Sequence, residues 1–120
     1  MINTRLPNIL VPLNKDALTA ICSGGRGENE GYKTFPIGRD DLGELFVKEF
    51  FDEINSMFNL NIDEYEEEII FEEEIIIKLN EYLINRLKSE KDVLSCFYIK
   101  KIIECIKESL KYKCGLGFYF

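Results

Sequence analysis

Eight of the twelve residues from Asp63 to Glu74 are carboxylates, and none is basic. Carboxylates at this density could hold a cation, share protons in acid–base chemistry, or attract a basic partner. The first two uses need a pattern as well as density. A calcium loop alternates oxygen ligands around a glycine-bearing turn, and this run contains no glycine. A di-iron bundle needs Glu-x-x-His pairs, and the chain has no histidine. A glycosidase needs two carboxylates facing each other across a cleft, and nothing in one continuous run puts them there. No metal and no cofactor is therefore expected. The remaining use is attraction. A field of this sign steers a cationic surface inward and aligns it.

Other reactive groups are scarce. Without histidine there is no Ser-His-Asp triad and no Cys-His pair. The four cysteines, Cys22, Cys96, Cys105 and Cys114, include no CxxC pair. Cys96 and Cys105 are nine residues apart, about two and a half helical turns, which points them to opposite faces. They read as buried small residues rather than ligands or nucleophiles. Gly24-Gly25-Arg26-Gly27 lacks the GK[ST] ending of a phosphate loop and reads as a turn. No base, partnered nucleophile or cofactor fingerprint remains, so an enzyme is not expected.

The wider composition agrees. The 120 residues suit a single domain, 1–120, and 46% hydrophobic content is enough for a core. The net charge of −7 is concentrated. Residues 61–90 carry three basic and ten acidic groups, while the segments before and after them carry −3 and +3. An acidic domain is a poor ligand for nucleic acid, which demands an excess of Lys and Arg. No run approaches the roughly 20 apolar residues of a membrane span. Met1 to Leu13, broken by Pro7 and Pro12, does not read as a signal peptide, so a cytoplasmic protein with reduced thiols is expected.

The elements that must carry the acidic run are read from breakers and periodicity. All three prolines lie at or before Pro36, and no Gly or Pro falls between Glu44 and Cys114. The first third should be loop-rich, with a short helix near Lys15 to Cys22 and a loop from Ser23 to Gly31. A helix is expected from Asp40 to Phe58. One apolar stripe on it is Leu42, Phe46, Phe50 and Met57, and a second is Val47, Phe51, Ile54 and Phe58. After a link at Asn59 to Ile62, Asp63 and Glu66 resemble a capping box, and a helix is preferred to about Lys88. Tyr65, Ile69, Ile76, Leu79, Leu83 and Leu87 would line one face of it. A strand–turn–strand reading of 68–79 stays open, because Ile69-Ile70-Phe71 and Ile75-Ile76-Ile77 favour β-structure. A final helix would start at Ser89, bury Ile99, Ile102, Ile103, Ile106 and Leu110, and end with Gly115 at its C′ position. The tail from Leu116 would be a strand beside Tyr32 to Ile37, or a cap on the core. The expected fold is thus mainly α, a compact helical domain with a loop-rich N-terminal third. Room remains for short β-segments near 32–37 and 116–120, and α+β is the alternative.

In overall character this chain resembles the small acidic immunity proteins of bacterial toxin–immunity pairs, including contact-dependent growth inhibition systems. The likeness lies in one small acidic domain, no catalytic constellation, an Ile-, Lys-, Glu- and Asn-rich composition, and the run EYEEEIIFEEE at Glu64 to Glu74. That grouping spans many unrelated folds, so no residue carries over by alignment. The resemblance implies a protein that binds and blocks a cognate basic toxin domain, often a nuclease, and acts as a monomer when free. The expected contacts are Asp63, Glu64, Glu66, Glu67, Glu68, Glu72, Glu73 and Glu74 for steering, with Tyr65 and Phe71 as packed anchors. A helical adaptor or dimerisation module is the alternative.

Overall fold

A computed structural model describes residues 7–22 and 31–120. In chain order the elements are β1 (Asn8–Pro12), α1 (Lys15–Cys22), β2 (Tyr32–Pro36), α2 (Arg39–Val47), α3 (Asp52–Phe58), β3 (Glu67–Ile70), α4 (Glu73–Ser89), α5 (Val93–Tyr112) and β4 (Leu116–Tyr119). The four strands form one antiparallel sheet in the order β2-β1-β4-β3. The fold is α+β, the alternative expectation, with helix predominating over the small sheet. The expected segments near 32–37 and 116–120 are strands, but they do not pair with each other. β1 lies between them, with Ile9 opposite both Phe35 and Phe118.

This arrangement follows from burial of the tail. Every residue from Cys114 to Phe120 is buried, so β4 must sit centrally with a partner on each edge. Ile9, Val11, Ile70, Leu116 and Phe118 face the main core beneath the helices. Leu10 and Tyr119 pack on the opposite face with Tyr32 and Ile69. On that face the Tyr119 ring lies over Gly117, where an added Cβ would come within 3.0 Å of it.

The helix expected from Asp40 to Phe58 is two helices. α2 stops at Lys48, and Glu49 turns through the left-handed region at φ 58°. A continuous helix would set Phe50 and Phe51 about 100° apart, with only one facing inward. The break buries both, in an aromatic cluster with Phe46, Phe118 and Phe120. It also turns Val47 and Met57 outward, at 80% and 56% exposure, contrary to the two expected stripes. Arg86 fastens the break: its guanidinium donates to the Phe50 carbonyl at 2.9 Å and lies 4.4 Å from the Phe50 ring centre.

α5 begins at Asp92, not Ser89. The Asp92 carboxylate accepts the Ser95 N–H and hydroxyl, both at 2.9 Å, while Ser89 donates back to Arg86 in the last turn of α4. Asp92 also meets Lys48 at 2.6 Å, which ties α5 to the end of α2. The Lys48 hydrogen bond, then the Ser95 N–H, lowers the Asp92 pKa from 3.8 to about 2. A lowered native pKa gives stability that is complete above the unfolded value and lost as pH falls through the native one. Asp92→Asn keeps the cap and loses only the partly exposed Lys48 pair, so it should melt slightly below the native chain at neutral pH. The gap should close as pH falls from 3.8 to about 2, as followed by circular dichroism.

α5 ends at Lys113, in the left-handed conformation, two residues earlier than the Gly115 cap expected from sequence. Gly115 serves the next turn instead. It has φ +93°, an added Cβ would lie 2.8 Å from the Ile70 carbonyl oxygen, and its own carbonyl accepts the buried Ser109 hydroxyl at 2.7 Å. Gly115→Ala would have to move β3 or β4. It should cost about 1–3 kcal/mol in urea unfolding, whereas Gly38→Ala, where the Cβ would meet nothing within 4 Å, should be well tolerated.

Candidate partner-binding surface

The acidic run is not one helix. It is a turn, an edge strand and the start of α4. Ile62 anchors it, buried and clamped by Asn55, whose side chain donates to the Ile62 carbonyl at 3.0 Å and accepts its N–H at 2.9 Å. Asp63 then accepts the Glu64 N–H at 2.8 Å, and Tyr65 takes φ 62°, so the chain reverses instead of continuing as a capping box. The reversal brings Glu66 and Glu68 back against the link. Glu68 accepts the Asn61 N–H at 2.6 Å and Glu66 accepts its side-chain amide at 3.1 Å.

Glu67 to Ile70 form β3, paired on one side with β4. Glu68 and Glu72 are therefore not one helical turn apart and do not repel as i,i+4 neighbours. Glu72 is the N-cap residue of α4, and Glu73 and Glu74 occupy its first turn, where carboxylates complement the helix dipole. Arg86 and Lys88 match the opposite end. The open alternative for 68–79 holds only in its first half. Ile69 and Ile70 are strand, while Ile75 to Ile77 are helical: Ile75 and Ile76 pack with Leu79 and Leu83 in the core, and Ile77 is exposed.

The ten expected contact residues lie together on the surface. Asp63, Tyr65, Glu66, Glu67, Phe71, Glu72, Glu73 and Glu74 are exposed, and Glu64 and Glu68 are half-buried. Tyr65 is 79% exposed and Phe71 52%. Arg39 holds the Tyr65 end, with its guanidinium 5.0 Å from the ring centre and donating to the Phe120 carbonyl at 3.2 Å. Glu74 pairs with Lys78 at 3.2 Å on an exposed helix turn, a contact of little stabilising value. The Glu66 and Glu68 carboxylates therefore brace the turn. Asp63, Tyr65, Phe71 and Glu72 to Glu74 offer a rim of charge around two aromatics. Its chemistry is attraction and packing.

A comparison with known proteins found no matching family model, no matching curated protein and no matching solved structure.

Two other features bear on function. An open groove of about 670 Å³ lies between α3 and α4, lined by Met57, Phe58, Ile75, Lys78, Glu81 and Tyr82. Nothing in the spacing points to it, because Met57 fits an inward stripe until the helix breaks. Cys105 and Cys114 are buried, as expected, whereas Cys96 is only half-buried. Burial pushes the Cys105 thiol up to about 12, which suppresses the reactive thiolate. The side chain of Cys22 and the Gly24-Gly25-Arg26-Gly27 turn lie outside the described residues. Among those residues, no group of three or more Cys, Asp or Glu side chains is placed to hold a metal ion. No helix among them is long and apolar enough to cross a membrane.

Proposed function

We propose that this protein is a stoichiometric inhibitor that binds a cognate basic toxin domain, as small acidic immunity proteins do. The observation that carries the proposal is the exposed carboxylate rim around Tyr65 and Phe71 on one sheet edge. Nuclease sites and other nucleic-acid grooves are basic, because phosphate must be neutralised there. A compact acidic domain can cover such a groove without any chemistry of its own. On this reading the protein acts as a monomer in the cytoplasm, with no cofactor and no nucleic acid bound directly.

The test is co-expression with the C-terminal domain encoded by the adjacent upstream reading frame. That domain alone should arrest growth, and this protein should restore it in a one-to-one complex. Arrest that persists at equal expression would overturn the proposal. A second reading, a helical adaptor or dimer, is favoured by the exposed Val93 and Phe97, one turn apart on α5. Light scattering on the isolated chain separates the two. A monomer supports the inhibitor, and a stable dimer supports the adaptor.

A further inference from the structure

We infer that the outer side of β3 takes up an extended basic segment of the protein partner as a fifth strand of the sheet. This rests on the inhibitor reading and specifies how the same surface would bind. β3 is a terminal strand in the order β2-β1-β4-β3, and no described strand lies beyond it. Its register settles which backbone groups face outward. The Phe120 N–H donates to the Glu66 carbonyl, so that pair is a hydrogen-bonded one. Hydrogen-bonded pairs recur every second residue, which assigns Glu68 with Phe118 and Ile70 with Leu116 to the same class. The N–H and C=O of Ile69 therefore point away from β4, toward the side where a further strand would pair.

Charge decides the occupant. A second copy of this chain paired antiparallel about Glu67 would set Glu67 against its own counterpart and Glu66 against Glu68, and like charges on facing strands repel. Edge strands are commonly protected from self-association in this way. A strand bearing Lys or Arg meets the opposite condition, since every charged residue from Asp63 to Glu74, on both sides of Ile69 along the chain, is acidic. An apolar residue opposite Ile69, with cover for Tyr65 and Phe71 at the two ends, completes the fit. Strand addition of this kind takes affinity from backbone hydrogen bonds and selectivity from alternate side chains.

The experiment uses the full isotope-labelled chain and two capped heptapeptides. One is Lys-Val-Lys-Val-Lys-Val-Lys. The other is the same sequence N-methylated at its three central residues, which keeps the charge and removes the central backbone donors. The unmodified peptide should slow exchange of the Ile69 amide by at least about tenfold, and the methylated one should leave it unchanged. Equal protection by both peptides, or none by either at millimolar concentration, would overturn strand addition.

A second arm uses the growth assay. Ile69→Pro removes the outward N–H without changing charge, a substitution that edge strands tolerate, and Ile69→Val keeps the N–H. Rescue by Val but not by a folded Pro variant is expected. Full rescue by Ile69→Pro would overturn strand addition while leaving the inhibitor reading intact. Failure of the native chain to rescue would remove the inhibitor reading, and the peptide result would still decide the edge.

Discussion

Phe51→Ala should lower the unfolding free energy by about 3–5 kcal/mol, the range for truncating a buried aromatic. Phe51 is buried at the centre of the aromatic cluster, with ring centres of Phe50, Phe46, Phe120 and Phe118 at 4.8, 5.2, 5.5 and 6.4 Å. These neighbours come from α2 (Phe46), the break after it (Phe50), β4 (Phe118) and the residue that follows β4 (Phe120), and strands held in register cannot collapse far into a void. The loss adds the transfer free energy of the ring to the cost of the cavity. Against a typical stability of about 5–15 kcal/mol, this is a large fraction of what keeps a chain folded. Urea titration followed by circular dichroism measures it. Phe71→Ala, half-exposed on the acidic rim, is the control and should stay within about 0.5 kcal/mol of the native chain. A Phe51→Ala loss below about 1 kcal/mol would mean that the cluster does not hold the two layers together.

The second large effect is on association. Reversing Glu72, Glu73 and Glu74 to lysine should slow binding of the basic partner by about 10-fold or more at low salt. These three residues suit the test better than Glu66 to Glu68. Glu66 and Glu68 brace the turn through Asn61, so their reversal would confuse steering with local unfolding. Reversal at the start of α4 does place cations at a helix N-terminus, at a cost of about 0.3–1 kcal/mol each. A melting curve read alongside accounts for that loss. Stopped-flow mixing at several salt concentrations reads the rate, and the difference should shrink as the Debye length falls below about 8 Å. An unchanged rate at low salt would show that the acidic rim does not steer the partner.

The sequence carried the local features well where one helix met one face of the core. The buried stripe of α5, the short helix at Lys15 to Cys22 and the link before Asp63 all follow from spacing and caps. The ends of α5 depend on tertiary contacts. Ser89-x-x-Asp92 and Asp92-x-x-Ser95 are both plausible starts, and only the Lys48 contact with Asp92 favours the second. Val47 and Met57 match an inward stripe by spacing, and a left-handed Glu49 turns them out.

By itself the sequence determined the charge and its location, the absence of histidine chemistry, and the apolar demand of the tail. These are properties of residues and need no partner in space. Only the tertiary structure decided that Glu67 to Ile70 form a strand. In isolation a glutamate-rich run with two isoleucines favours helix. Pairing with β4 overrides that preference, because a wholly buried tail needs hydrogen bonds on both edges and Ile70 packs beside Leu116. β1 escaped the reading for the same reason, since five residues, Asn8–Pro12, gain their identity from two neighbours far along the chain. Long-range pairing thus made the middle of the acidic run a sheet edge, with only its last residues left on a helix.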